Sequence, residues 1–257
     1  MAWQIREVSE RIRRQPNDAD LYLKRGELYG TLQQWDPALA DYDRAAQLDP
    51  QMAAVDLARG RSLFEAGRPQ AALVAVDRFL TRDPRHGEGR ILRARLLAGL
   101  GRHGEAAEEF SRGLATTSRP QPEHYLERAN ALVKAGRADD ALRGLDEGLG
   151  RLNDSVTLQL AAVDLEADQK RYDSALARLD RVAARSARKD PWLARRAEIL
   201  ERAGRRAEAH AAYRAALAAL ESLPPSRRVA PATRETEKRL RAALRRLAAA
   251  LKYGDIA

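Results

Sequence analysis

The sequence predicts an all-α fold in which helical hairpins stack into a solenoid, and three observations support this prediction. Apolar residues follow the helical period, and no segment alternates with the period of two that is typical of a strand. Glycine or Asp-Pro interrupts the helical segments at regular intervals. Small residues and prolines recur at a spacing of about 34 residues, which is typical of stacked helical repeats; the clearest recurrences pair Gly26 with Gly60, Ala38 with Ala72, and Pro50 with Pro84.

The spacing can be followed through six units, which start at Ala19, Ala53, Gly87, Pro122, Val156 and Asp190. Position 20 of every unit is alanine, which lets two helices approach closely; these residues are Ala38, Ala72, Ala106, Ala141, Ala175 and Ala209. We expect Ala38, Ala72, Ala141 and Ala175 to be nearly fully buried where the two helices of a unit cross. Position 15 is glycine in four units, where the first helix should end and turn; these residues are Gly67, Gly101, Gly136 and Gly204.

The first unit resembles the tetratricopeptide repeat, a family with conserved aromatic, glycine, alanine and proline positions. The matching residues are Tyr22, Gly26, Tyr29, Ala38, Tyr42, Ala45 and Pro50. The resemblance continues to about residue 223 and implies a right-handed superhelical solenoid of six helix-turn-helix repeats. The segment up to the end of the first unit also resembles exported repeat proteins of bacteria, so we expect a bacterial protein.

Two flanking helices are predicted around the repeats. The expected organisation is an N-terminal flanking helix in residues 1–18, the repeat array in 19–223, a linker in 224–231, and a C-terminal capping helix with a tail in 232–257. The last helix carries an apolar stripe of leucines, Leu240, Leu244, Leu247 and Leu251. A capping helix is expected because the last repeat would otherwise expose its stacking face.

Position 7 departs from the family pattern. The family places leucine there, whereas five of the six units have arginine, and position 25 offers aspartate in several units. The arginine fork can bridge two acceptors while its stem packs on apolar surface. We therefore expect structural ion pairs within single units, namely Arg25 with Asp43, Arg59 with Asp77, and Arg128 with Asp146.

The resemblance also implies a binding surface. In the family, five positions of the first helices point into a concave groove. Carried over to this chain, these positions give the following candidates in the second to fourth repeats, in the middle of the groove: Leu57, Arg61, Phe64, Ile91, Arg95, Leu126, Asn130 and Lys134. Apolar side chains beside cationic and amide groups suit a peptide with apolar anchors and a central acidic group. The alternative is that the apolar strip only packs the inner wall of the solenoid.

A second candidate surface lies near the C-terminus. Most of the formal net charge of +9 falls after residue 200, and one face of the last helix carries Arg234, Lys238, Arg241 and Arg245. This face is either a solvated surface or a contact for an acidic protein, lipid or nucleic acid. No aromatic residue interleaves the stripe to stack on bases, which disfavours nucleic acid.

Residues for catalysis or cofactor binding are not apparent. The chain has no cysteine, its four histidines fall at unrelated repeat positions, and no glycine-rich phosphate loop is present. We expect no enzymatic activity, no cofactor and no metal. The predicted function is a non-enzymatic scaffold that binds a protein or peptide through the concave groove. The alternatives are an adaptor for anionic partners through the basic helix, and a regulatory domain of a larger enzyme, which the capped C-terminus disfavours.

No apolar run is long enough to span a bilayer, and the charged N-terminal segment lacks the apolar core of a secretory leader. The chain as it stands is therefore expected to be soluble and cytoplasmic. A bacterial periplasmic location is the alternative if a leader has been removed.

Overall fold

The computed structural model describes residues 1–153 and 155–253, with side chains described up to Ala250. All regular secondary structure in these residues is helical, which confirms the predicted all-α class. The chain divides into two compact units, Met1–Ala141 and Leu142–Ala257. Within each of these two compact units, consecutive helices contact one another, which is the arrangement expected of stacked hairpins.

The first compact unit, Met1–Ala141, begins with a single helix, α1 (Ala2–Arg14). Three hairpins follow, formed by α2 (Ala19–Thr31) with α3 (Trp35–Leu48), α4 (Ala53–Glu65) with α5 (Pro69–Arg82), and α6 (Gly87–Gly99) with α7 (His103–Thr116). Helix α8 (Pro122–Lys134) belongs to the same unit, and α9 (Ala138–Arg151) contains the boundary between the two units.

The second compact unit contains two further hairpins and the C-terminal helices. The hairpins are α10 (Val156–Asp168) with α11 (Tyr172–Ala184), and α12 (Asp190–Arg202) with α13 (Arg206–Glu221). The segment predicted as a linker contains a short helix, α14 (Pro225–Arg228), which starts at a proline because the fixed φ of proline suits the first helical position. The last helix is α15 (Pro231–Tyr253).

The alanines at position 20 are buried, which confirms the prediction for Ala38, Ala72, Ala141 and Ala175. All six, Ala38, Ala72, Ala106, Ala141, Ala175 and Ala209, have a relative exposure of 0%. The glycine opposite one of them shows how closely the helices approach, because a Cβ atom on Gly60 would lie 2.5 Å from Cγ2 of Val76. The small residues thus set the short distance between the two helices of a hairpin.

The turn inside each hairpin has the same backbone conformation. The first helix ends at four glycines as predicted, and each has a positive φ: 70° at Gly67, 77° at Gly101, 76° at Gly136 and 75° at Gly204. The same turn position is occupied by Gln33 with φ 58° and by Lys170 with φ 59°. These two residues adopt a left-handed conformation that is unfavourable for a side chain with Cβ.

The flanking helices cover apolar side chains of neighbouring helices. Val8 and Ile12 of α1 are buried with Leu21 of α2. At the other end, Leu240, Ala243 and Leu247 of α15 are buried in a cluster with residues of α13, including Tyr213, Ala216 and Leu220. Leu244 is partly buried against the same cluster. Leu251, the fourth leucine of the predicted stripe, lies outside the described side chains.

The ion pairs predicted within single units are wrong for Arg25 and Arg59. Arg25 donates through Nε and Nη2 to the two carboxylate oxygens of Asp41, both at 2.7 Å, instead of to Asp43. Arg59 pairs with Asp43 of the preceding hairpin at 2.6 Å instead of with Asp77. The reason is that the arginines at position 7 face the neighbouring second helix, so burial of their stems selects the carboxylate nearest to that helix. The third expected pair, Arg128 with Asp146, stays a prediction.

Candidate functional site: a cleft bordered by three first helices

The first compact unit contains a cleft of about 460 Å³ bordered by α4, α6, α7 and α8. We call it the central cleft. Its lining combines apolar, basic, acidic and amide side chains: Phe64, Arg95, Ala98, His103, Phe110, Glu127, Asn130, Ala131 and Lys134. Four of the eight groove residues predicted from the sequence, Phe64, Arg95, Asn130 and Lys134, therefore line one cavity.

The apolar part of the central cleft comes from three first helices and from one second helix, α7. Phe64 of α4 is partly buried, and Phe110 of α7 has only 1% of its surface exposed. Ala98 and Ala131 add small side chains beside the two rings, so the cavity is not filled by the protein's own side chains. The sequence reasoning missed Phe110 and His103 because it considered only the first helices as groove walls.

The charge in the central cleft differs from the sequence prediction. Nε of Arg95 donates to both carboxylate oxygens of Glu127 at 3.0 Å, so this guanidinium is not a free cation. Both side chains are 36% exposed, so the pair is screened by solvent and contributes little to stability. Lys134 and Asn130 are exposed, and Lys134 has no ion-pair partner among the described residues. The unpaired positive charge in this cleft is therefore on Lys134.

Glu127 was missed by the sequence analysis, although the repeat carries a signal for it. It lies 32 positions after Arg95, close to one repeat length. It therefore occupies almost the same place on the next first helix. A side chain of one first helix can reach a residue at an equivalent position on the next because neighbouring repeats stack side by side.

Two predicted groove residues belong to the core. Ile91 has 0% of its surface exposed and Leu57 has 9%, so neither side chain is accessible to a partner in this structure. Ile91 is enclosed because a Cβ atom on Gly113 would lie 2.8 Å from its Cγ1, which places α7 directly against it. Leu57 packs in a cluster with Val76, Phe79 and neighbouring apolar residues. At these two positions the apolar side chains pack the inner wall of the repeat array, which was the alternative to a peptide-binding role.

The other two predicted groove residues lie outside the central cleft. Leu126 is partly buried and does not line it. Arg61 is exposed and lines a neighbouring cleft of about 320 Å³ with Glu27, Trp35 and Glu65. The Tyr42 hydroxyl borders this second cleft and lies 3.2 Å from Oγ of Ser62. Burial raises the pKa of Tyr42 above its ordinary value, so the hydroxyl stays protonated at neutral pH.

The predicted basic surface of α15 is only partly available. Arg234, Lys238, Arg241 and Arg245 are all exposed. Nη2 of Arg241 donates to Glu221 at 2.6 Å, and its Nε donates to Glu237 at 2.9 Å. The other three cations have no ion-pair partner in the described part of the chain. The stripe therefore presents three unpaired positive charges instead of four.

The histidines are not equivalent to one another. Nδ1 of His86 accepts a hydrogen bond from the Gly89 backbone N–H, and Nδ1 of His124 accepts one from the Gln121 backbone N–H, so both rings cap helices. Nδ1 of His103, at the central cleft, is buried without a hydrogen-bond partner. Within residues 1–153 and 155–253, no group of three or more histidine, cysteine or carboxylate side chains could hold a metal ion.

None of the described helices combines the length and the apolar composition needed to cross a membrane.

Comparisons with known proteins agree with this architecture. Residues 57–122 match a family model described as the tetratricopeptide repeat. Among solved structures, YrrB, described as a tetratricopeptide repeat protein with an unusual peptide-binding site, has a TM-score of 0.58 at 19% identity, over 69% of this chain and 91% of YrrB. No curated protein sequence matches the chain significantly.

Two other similar structures cover more of this chain. A tetratricopeptide repeat protein from Parabacteroides merdae has a TM-score of 0.55 at 17% identity and covers 92% of this chain and 90% of its own length. The PilF protein of Pseudomonas aeruginosa has a TM-score of 0.56 at 16% identity and covers 87% of this chain and 96% of its own. At these identities the likeness shows a shared fold.

The stacked hairpins and the open cleft between first helices define a helical-repeat protein of the kind that generally serves as a protein-interaction scaffold. Residues 57–122 match the tetratricopeptide repeat family, and the chain shares its fold with tetratricopeptide repeat proteins.

Proposed function

We propose that this protein is a non-enzymatic scaffold of six tetratricopeptide repeats that binds an extended segment of a partner protein in the central cleft. The observation that carries the proposal is the convergence of Phe64, Arg95, Asn130 and Lys134, which come from three separate first helices, on one cavity. Extended concave surfaces of this kind are what repeat proteins use for binding. YrrB, which shares the fold, is described as having a peptide-binding site.

The chemistry of the central cleft favours a segment with an apolar side chain next to an acidic one. An apolar side chain would be buried against Phe64 and Ala98, which are partly buried and border the cavity. The ammonium of Lys134 would pair with a carboxylate on the segment. The side-chain amide of Asn130 offers both a donor and an acceptor, which is the combination that a peptide backbone requires.

Selection of a displayed random-peptide library on the full chain tests this proposal. We expect the enriched peptides to share an apolar residue close to Asp or Glu. Asn130→Ala or Lys134→Gln should weaken the selected peptides about tenfold, since a hydrogen bond or a charge contact at an interface has roughly that effect. Both side chains are exposed, so the melting temperature should not change.

Gln70→Ala and Lys24→Gln are matched controls, because both residues are exposed and neither lines the central cleft. These controls should bind the selected peptides as the unmodified chain does. If the controls and the cleft variants bind equally well, or if selection enriches no common sequence, the central cleft is not the binding site.

The adaptor for anionic partners remains a second candidate, because Arg234, Lys238 and Arg245 are exposed and unpaired within the described residues. Replacing the three cations with glutamine should abolish binding of an anionic partner and leave peptide binding in the central cleft intact. Raising the salt concentration separates the two functions, since a contact made mostly of surface charges weakens steeply with ionic strength. A partner lost from the α15 variant and kept by the cleft variants would favour the adaptor.

A further inference from the structure

The second compact unit contains a cavity of about 390 Å³ between α9, α10 and α11. We call it the arginine cavity. Val156 and Gln159 line it from one face of α10, and Arg178 and Arg181 line it from one face of α11. Nη1 of Arg178 donates to Oδ1 of Asp146 at 2.7 Å, which places this face of α11 against α9. The cavity has the size of a pocket for a small ligand.

The apolar part of the arginine cavity is open to a ligand. Leu149 and Val182 are each only 7% exposed and form a buried apolar wall, whereas Val156 is 52% exposed. Gly150 also lines the cavity, and a Cβ atom on it would meet no atom within 4 Å. The protein's own side chains therefore leave this space unfilled, and a branched apolar group in it would cover Val156.

Gln159 provides a buried acceptor that the protein does not satisfy. Its Oε1 atom is buried and has no hydrogen-bond partner among the described residues, although the side chain lines the arginine cavity. A buried carbonyl oxygen without a donor is unfavourable. A ligand in the cavity that carries a hydrogen-bond donor would satisfy this oxygen.

The cations of the arginine cavity are not equivalent. The Arg178 guanidinium is used within the protein, because it donates to Asp146 and, through Nη2 at 3.1 Å, to Oε1 of Glu166. Arg185 also borders the cavity but is not free. Arg181 is exposed and has no ion-pair partner in the described part of the chain. An anionic group of a ligand would therefore pair with Arg181.

A single small molecule can meet these three requirements if it carries an apolar chain, an anion and a donor close together. A carboxylate suits the anion, because its two oxygens match the fork of the Arg181 guanidinium. The donor should be uncharged, because Arg181 would repel an ammonium and the carboxylates of Asp146 and Glu166 are already bonded to Arg178.

We propose that the arginine cavity binds a branched-chain carboxylate with an uncharged hydrogen-bond donor on its α-carbon, such as an α-hydroxy acid or an N-acylated amino acid. The carboxylate pairs with Arg181, the donor bonds to Oε1 of Gln159, and the chain packs on Leu149 and Val182. This site is separate from the central cleft, and its occupation does not depend on peptide binding there.

Titration of the full chain with a matched set of small molecules tests the proposal, with the methyl resonances of Leu149 and Val182 as reporters. Leucic acid, the hydroxy analogue of leucine, and N-acetylleucine should give saturable shifts, and the tighter of the two identifies the preferred donor. Isocaproic acid lacks the donor, N-acetylleucinamide lacks the carboxylate, and lactate lacks the branched chain. Each of these three should bind about tenfold more weakly, since each loses one contact. Leucine should also bind more weakly, because its donor is an ammonium.

Two substitutions assign the polar contacts. Arg181→Gln should weaken leucic acid about tenfold and leave N-acetylleucinamide unchanged; Arg214→Gln, an exposed arginine of α13, is the matched control and should change neither. Gln159→Leu should weaken leucic acid to the level of isocaproic acid without weakening isocaproic acid. A substitution that only disturbed the structure would weaken both acids.

Gly150→Leu fills the cavity and should abolish binding of both acids. The midpoint of thermal unfolding should not fall in this variant, because leucine favours a helix more than glycine does. Gly104→Leu, at a helical glycine that also has open space around it, is the control and should bind as the unmodified chain does.

Three results would overturn the proposal. They are equal binding of leucic acid and isocaproic acid to the unmodified chain, absence of saturation with both leucic acid and N-acetylleucine, and tighter binding of leucine than of either. Unchanged affinity for leucic acid in Arg181→Gln or in Gly150→Leu would place the ligand outside the arginine cavity and would also overturn it.

Discussion

Nη1 of Arg59 on α4 lies 2.6 Å from Oδ1 of Asp43 on α3, and this ion pair joins one hairpin to the hairpin before it. The same relationship recurs where Nε of Arg93 donates to Asp77 at 2.7 Å. In the second compact unit, Nη1 of Arg196 lies 2.7 Å from both carboxylate oxygens of Asp180. Arg59, Arg93 and Arg196, which all occupy position 7, therefore connect successive hairpins, whereas Arg25 pairs within its own hairpin.

A double-mutant cycle should detect this connection. For Arg59→Met with Asp43→Asn, we expect a coupling of about 0.5–1 kcal/mol in the free energy of unfolding, because the aspartate is largely exposed. Urea denaturation of the four proteins measures it. The control cycle pairs Arg59→Met with Asp77→Asn, the partner expected from the sequence, and should give a coupling near zero. A larger coupling with Asp77 than with Asp43 would contradict the observed pairing.

Ala72→Leu should destabilise the protein by about 1–3 kcal/mol, because the position is fully buried at a helix crossing and a larger side chain overpacks it. Ala71→Leu is the matched control, since Ala71 is the neighbouring residue on the same helix and is exposed. This variant should leave the midpoint of thermal unfolding nearly unchanged. The two variants are compared by circular dichroism melting. Equal effects would mean that α5 does not bury the face that the structure shows.

Gln33→Gly and Lys170→Gly should each stabilise the protein, by about 0.5–1 kcal/mol, since glycine removes the strain of a left-handed residue that carries Cβ. Conversely, Gly67→Ala should destabilise it by about 1 kcal/mol, because its φ of 70° disfavours alanine. Gly104→Ala is the control, as this helical glycine has no positive φ and open space around it. Urea denaturation should show no loss of stability for the control, and a loss at Gly104 as large as that at Gly67 would refute the conformational argument.

Leu247→Ala should destabilise the second unit by about 2–5 kcal/mol, because the side chain is 3% exposed and its removal leaves a cavity between α15 and α13. Arg245→Ala, two residues earlier and exposed, should change the stability by less than about 0.5 kcal/mol. Hydrogen exchange of α13 amides would locate the effect. Unchanged protection of α13 in Leu247→Ala would show that α15 does not act as a cap.

Much of the fold could be predicted because its signals are local or strictly periodic. The burial of Ala72 follows from its place in the repeat, and the turn at Gly67 follows from the need for positive φ. Part of the lining of the central cleft was predictable, since the places of Phe64 and Lys134 follow from the register of the repeat alone. Exposure was not predictable, because Ile91 occupies a groove position and yet is covered by α7, where Gly113 permits a closer approach.

The sequence by itself determined the helical class, the register of the repeat and the small residues at the helix crossings, because each depends on neighbours within one hairpin. Only the tertiary structure decided that Arg59 turns back to Asp43, that Glu127 neutralises Arg95, and that His124 is buried beside the N-terminus of α6. These relationships depend on how one hairpin packs against the next. A charged side chain with a long, flexible stem can reach several carboxylates, and the packing distance selects among them.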